Sequence, residues 1–287
     1  MPVSALISSS AVRVFRLFLA TTLTASPLRS VGAQMAVALA DSTQSPQTLF
    51  TRRDAFVAAA FAGATVAMFP LDKSVARRIS NRQSSTNRFL DRSSKGVEVI
   101  ADPGAIIIGS TLYLYGRFSN HPDIEDLGWH GTEAVILGSS ITAVLKGVTG
   151  RARPYVTNDT NPHDFKFLKG FSGGGRTSFP SGHATAAFAA ASAVTSETQR
   201  IWPGHTWLVA PAMYGGATLV GLSRMYHDKH WASDVVLGAA VGTFSGLKVV
   251  RYTHAHPENF LDRAVLGVRA SPSPHGSQAE ISVSFPN

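Results

Sequence analysis

Three short clusters in this chain hold side chains that could act together on an anion. The first is Lys146-Gly-Val-Thr-Gly-Arg-Ala-Arg153-Pro154. Lysine offers a compact charge and arginine a planar fork of donors, a pair suited to phosphate oxygens. Lys146 and Arg153 lie seven apart, near two helical turns, so they could share a face if a helix runs through both. Pro154 disfavours helical backbone at Arg153, so the helix is expected to end there. A solvated helix terminus, where cations favour the dipole, would look the same. The second cluster is Pro180-Ser181-Gly182-His183, just before an Ala-rich run. Ser181 suits an N-cap and Gly182 permits close backbone approach. The free N–H groups of such a helix start favour an anion, and His183 would face it from the first turn. An ordinary cap beside a surface histidine is the plainer alternative. The third is Ser223-Arg224-Met-Tyr-His-Asp-Lys-His230-Trp-Ala-Ser-Asp234. His230 and Asp234 are four apart, the spacing of neighbours on one helical face, catalytic or not. A carboxylate bonded to one imidazole nitrogen would fix the tautomer and leave the other nitrogen free to attack. His227 lies nearby and is assigned a structural or substrate-rim role.

In order and chemistry these clusters match one pattern: Lys, six residues, Arg-Pro; then Pro-Ser-Gly-His; then Ser-Arg, five residues, His, three residues, Asp. The chain thereby resembles the type 2 phosphatidic acid phosphatase and vanadium haloperoxidase superfamily, over a region from about Glu133 to Val250. The resemblance implies a helical bundle with a phosphate site at helix ends. It implies that Lys146, Arg153 and Arg224 clamp the phosphoryl oxygens, helped by Ser181 and the Gly182 N–H. His230 would attack phosphorus, Asp234 orient it, and His183 protonate the leaving oxygen and then activate water. Three cationic side chains then meet the developing charge, so neither metal nor other cofactor is expected. The activity implied is a phosphatase on a phosphomonoester or a lipid or polyprenyl (di)phosphate. Two alternatives stand beside it: a vanadium-dependent haloperoxidase, whose cradle is the same, and a non-enzymatic anion-binding envelope protein. Against the latter, binding alone needs neither a nucleophile nor an acid.

The elements that must position these residues are helical. Apolar stretches at 55–69, 103–115, 133–145, 184–194, 208–222 and 235–250 are longer than typical strands, rich in Ala, Gly and Leu, and bounded by polar or Pro/Gly punctuation. They predict an all-α bundle of about six helices occupying 55–255. A long loop at 155–179 separates the first two clusters, and loops of that length in compact domains are commonly functional. In the tail, 256–287, alternation at 264–270 and 280–285 around Ser-Pro-Ser-Pro-His-Gly reads as a β-hairpin, with Ile281, Val283 and Phe285 on one face.

Charge and the N-terminus bear on location. The 287 residues carry 26 Lys and Arg against 18 Asp and Glu, a formal net charge of +8, with a pI near 10.0. An anionic partner follows, but no zinc or aromatic nucleic-acid motif accompanies the scattered basic residues, so nucleic acid is set aside. With no cysteine, disulfides and thiolate metal sites are excluded. Arg13 and Arg16 precede an apolar run, 17–25, followed by small residues at 31–33 and 38–40. Residues 1–40 therefore read as a signal peptide or N-terminal anchor, and 41–54 as a linker. Export to the periplasm or envelope is expected, with the site outside the cytoplasm. The mean hydropathy of +0.08 leans toward a bundle at a membrane surface rather than one fully embedded, with 55–71 nearest to spanning length.

Overall fold

The structure, a computed structural model, describes residues 50–79, 88–256, 259–266, 268–272 and 279–283. The expected signal or anchor, most of the linker, residues 273–278 and Phe285 lie outside the described residues. Among the described residues there are nine α-helices: α1 (Arg52–Met68), α2 (Asp72–Ile79), α3 (Arg88–Ala101), α4 (Gly104–Ser119), α5 (Pro122–Thr149), α6 (Gly182–Ile201), α7 (Thr206–Tyr226), α8 (Ala232–Ala255) and α9 (Phe260–Leu266). The six apolar stretches fall in α1, α4, α5, α6, α7 and α8. The three further helices, α2, α3 and α9, are more polar and shorter, so apolar run length did not reveal them. β1 (Val268–Pro272) and β2 (Ala279–Val283) pair antiparallel, with Val268 opposite Val283. The first strand starts later than the alternation suggested, because residues up to Leu266 belong to α9.

α6 is the axis of the bundle. Its alanines serve two apolar clusters at once. Ala186, Ala189 and Ala193 pack with Ala134 and Val135 of α5 and Val249 and Val250 of α8. Ala187 and Ala191 pack with Ala101 of α3 and Ala217 and Val220 of α7. Such small side chains let backbones approach closely, and α8 answers with Gly238, Gly242 and Gly246 at four-residue spacing. A Cβ at any of the three would come within 3.0 Å of the α6 backbone, at Ser181, Thr185 and Ala189 respectively. This tight α6–α8 contact sets the two site-bearing helix starts side by side.

α1 runs antiparallel along α8 and is held mainly at its ends. Asp54 caps the helix start together with Thr51 and accepts from Lys248 at 2.5 Å and Arg251 at 2.7 Å. Just beyond its other end Asp72, the first residue of α2, accepts from the Ser233 N–H at 2.8 Å. Between these ties the helix is largely uncovered. The stretch Arg52–Ile79 is long and apolar enough to cross a membrane, and only 11% of its most apolar window is buried. Ala232–Ala255 also qualifies, and α3 with α4 would form a third span if that bent pair crosses as one. Exposed Phe56, Val66, Ile107, Phe118, Val144 and Trp207 add to the apolar exterior. The protein is membrane-associated, and more of it suits lipid than the mean hydropathy suggested.

Candidate active site

The three clusters converge at one end of the bundle, where α5 ends and α6 and α8 begin. α5 stops at Thr149, with Gly150 in the left-handed region at φ 58° and its N–H bonded to the Lys146 carbonyl. Lys146 and Arg153 therefore do not share a helical face: Arg153 is extended, φ −73° and ψ 155°, four residues beyond the helix. The glycine terminates the helix earlier than Pro154 would, and the chain turns back to bring Arg153 to the site. A Cβ at Gly150 would strike the Lys166 carbonyl, so only glycine fits that turn.

Ser181 is the N-cap of α6, its hydroxyl accepting from the Ala184 N–H at 3.4 Å. Gly182 lies beneath the lysine: a Cβ there would be 3.3 Å from Lys146 Nζ. His183 follows in the first turn, half-buried, with Nδ1 3.8 Å from Asp102 Oδ2. Burial, reinforced by the Arg224 guanidinium, pushes the His183 imidazole down to about 4. Burial and then Arg153 push Lys146 down to about 8. These mutual effects require the cations and histidines to occupy one small volume.

His230 is 2% exposed and precedes α8 instead of lying on it, since the helix begins at Ala232. Its pairing with Asp234 is thus not that of a helix face. Nδ1 bonds the Ser178 carbonyl at 2.7 Å, while Asp234 Oδ2 stands 3.6 Å away. A carbonyl can only accept, so Nδ1 carries the proton and Nε2 keeps its lone pair. Asp234 is occupied elsewhere. It accepts from the Trp231 N–H at 2.8 Å, from Ser178 Oγ at 2.5 Å and from Arg151 at 2.5 Å. It holds the turn that presents His230, and acts on the ring mainly through Ser178. Burial, with Lys146 and Arg153 adding to it, pushes the His230 imidazole down to about 3.

Several residues here went unnoticed in the sequence. Arg151 is fully buried, within 5.7 Å of the rings of Phe69, Phe165, Phe179 and Trp231. It joins Asp234 to Asp72 (2.7 Å) and also donates to Ser233 Oγ (2.7 Å) and the Pro162 carbonyl. Its neighbour Arg153 was legible as a ligand, but nothing in the spacing marked Arg151 as a buried strut. On α3, Glu98 pairs with Arg224 at 2.5 Å and with His227 Nδ1 at 2.7 Å. His227 Nε2 meets Asp91 at 3.2 Å, so both its nitrogens are engaged in fixing α3 over the site. Ser178 enters through its carbonyl, on His230, and its hydroxyl, on Asp234; a lone serine in a loop carries no spacing signal for either.

Two donors in this cluster are conspicuous. Among the described residues the Nε atoms of Arg153 and Arg224 are buried and have no hydrogen-bond partner. The Arg153 guanidinium donates from a terminal nitrogen to Thr177 Oγ1, at 3.0 Å. Buried guanidinium donors ordinarily find acceptors, so two unpaired ones beside Lys146 and an N-cap suit an oxyanion.

The site is thus a cation- and histidine-bearing pocket at the helix ends of a bundle. Residues 128–258 match the PAP2 superfamily. A lipid A 1-phosphatase of Porphyromonas gingivalis is 42% identical over 69 residues, 24% of this chain and 15% of that relative. Among solved structures, a transmembrane PAP2-type phosphatidylglycerolphosphate phosphatase from Bacillus subtilis superposes with a TM-score of 0.52 at 19% identity. That alignment covers 71% of this chain and 97% of the other, and it shows a shared fold. Aquifex aeolicus LpxE aligns at 22% identity and a TM-score of 0.46, over 63% and 96% of the two chains.

Proposed function

We propose that the protein is a metal-independent phosphatase acting on a lipid phosphate through a phosphohistidine at His230. The observation that carries this is the state of the His230 ring. Its Nδ1 proton is committed to the Ser178 carbonyl, so the Nε2 lone pair is available beside the unpaired Arg153 and Arg224 donors. In the first step Nε2 forms a bond to phosphorus as the bond to the leaving oxygen breaks, and His183 gives that oxygen a proton. In the second, water attacks phosphorus, the N–P bond breaks and His183 takes the water's proton. Lys146, Arg153 and Arg224 stabilise the charge spread over the three equatorial oxygens, the task metal ions perform in other phosphoryl-transfer sites. Arg224 must exchange part of its contact with Glu98 for the phosphoryl group. His183, depressed by burial and then by the Arg224 guanidinium when the site is free, regains its proton when a phosphoryl dianion beside it favours the charged ring. The lipid nature of the substrate is supported by the apolar exterior of the bundle and by the substrates that the relatives' names carry. A site facing outward from the cytoplasm fits an envelope lipid and the N-terminal export signature.

The test is to trap the intermediate. Rapid acid-free quenching of the enzyme with labelled phosphatidic acid should leave acid-labile, base-stable label on the wild-type protein and none on His230→Ala. Label retained by the alanine variant would move the nucleophile to another residue.

A further inference from the structure

The helices that build the phosphate site carry a second cluster at their opposite ends. His130 lies sixteen residues before Lys146 on α5, Glu197 fourteen after His183 on α6, and His254 twenty after Asp234 on α8. At 1.5 Å per residue this puts the second cluster roughly 20–30 Å from the first. There, His130 Nδ1 and His254 Nε2 point at the same oxygen, Glu197 Oε1, at 2.6 and 2.8 Å. One donor atom from each of the three lies within 4.8 Å of the others.

We propose that His130, Glu197 and His254 form a structural site for a divalent transition metal of the zinc type. Two imidazoles and a carboxylate are a donor set that zinc takes, at about 2.0–2.2 Å from each atom. A tetrahedron of that size has edges of about 3.3 Å, so the contacts of 2.6 and 2.8 Å open by about 0.5–0.7 Å while the two nitrogens, within 4.8 Å of each other, settle at the same edge. The surroundings supply the outer contacts that metal ligands need. Glu197 Oε2 is held by Arg200 Nε at 2.9 Å, which leaves Oε1 for the metal. The other nitrogen of His130, buried and without a hydrogen bond, faces Asp262 Oδ2 at 3.9 Å. Asp262 is itself fixed by the Trp129 indole at 3.0 Å and Asn259 at 2.7 Å. Asp126 and Glu133 stand near the same histidines, so carboxylates gather at this end of the bundle, and Glu133 Oε2 is buried with no hydrogen-bond partner among the described residues. His254 is 31% exposed, which gives an ion and its remaining water ligand an entry. The metal would tie α5, α6 and α8 together at the end away from catalysis.

The proposal is independent of the phosphatase reading. Detergent-solubilised full-length protein, stripped with EDTA and dialysed, would be titrated with Co²⁺ and followed by its visible absorption, with Zn²⁺ used to displace it. One tightly held equivalent with tetrahedral-type bands is expected, with thermal stability rising on Zn²⁺ addition. Asp262→Asn, which leaves all three ligands in place, should weaken affinity about 10–100-fold. His254→Gln should abolish the bands, and its folding is checked independently by retained phosphatase turnover. With ten histidines in the chain, adventitious binding is a real alternative. Absent bands in the wild type, or bands unchanged in both variants, would overturn the site.

Discussion

At the scale of single residues, the site rests on keeping cations and neutral imidazoles together. Under the proposed mechanism Lys146, held down to about 8, is charged when it clamps phosphate. It is protonated below that value and neutral above it, so kcat/KM should fall as pH rises through about 8. Lys146→Arg should remove or displace that alkaline limb while lowering the plateau, because arginine does not titrate there. An alkaline limb unchanged in the arginine variant would assign it to another group. His183, at about 4 in the free site, is neutral at pH 7 until phosphate arrives. His183→Ala should therefore lower turnover of an alkyl phosphate about 10²–10⁴-fold and of an activated aryl phosphate far less. Equal losses on both would remove the acid role. Arg151 differs in kind, since it touches carboxylates and not the phosphate cradle. Arg151→Met leaves Asp72 and Asp234 buried without their shared counter-charge and should cost about 3–5 kcal/mol. Loss of activity with stability intact, read by thermal and urea unfolding, would contradict the strut assignment.

At the scale of elements, the comparison between sequence and structure is uneven for identifiable reasons. All six apolar runs became helices, because run length and composition report directly on burial along a helix. The N-cap of α6 was legible because its Ser-x-His pattern is local. His230 and Asp234 were paired by spacing as if on one helix, but the backbone enters α8 between them, so the contact is made through Ser178 instead. The end of α5 was set at Pro154 on a rule about proline, whereas Gly150 ended it first. α3 was missed because its apolar positions are scattered among charges, and with it Glu98 and Asp91. The four-residue glycine spacing in α8 emerged only with the structure, because its meaning depends on the partner helix α6. Gly242→Ala should destabilise the protein, since the added Cβ meets the α6 backbone at Thr185. Gly215→Ala, on α7 with nothing within 4 Å, should stabilise it by about 0.5–1 kcal/mol through helix propensity alone. Opposite signs in thermal unfolding are the expected result, and matching signs would show that α6 and α8 do not pack this closely.

At the scale of the whole molecule, the question is what covers the apolar exterior. The mean hydropathy understated it because the polar loop between Gly150 and Ser181 and the charged tail dilute the helices in the average. The structure separates these contributions: the loop gathers over the phosphate site, while α1 exposes Phe56 and Val66 along a stretch of spanning length. Water is a poor neighbour for such a surface, and ties at Asp54 on α1 and Asp72 at the start of α2 flank the stretch without covering its middle. Lipid is the medium that satisfies an apolar helix whose backbone polar groups are already bonded internally. The bundle should accordingly behave as an integral protein: alkaline carbonate washing of membranes should leave the full-length chain in the pellet, where a peripheral protein held by its positive charge would be released. The same wash distinguishes α1 from the N-terminal segment as the anchor. A chain shortened to begin at Thr51, expressed behind an unrelated cleavable signal, should still resist carbonate, because its uncovered helices remain. Release of that shortened chain into the supernatant, with activity retained, would show that the bundle sits on the membrane surface and that residues before 51 hold it there.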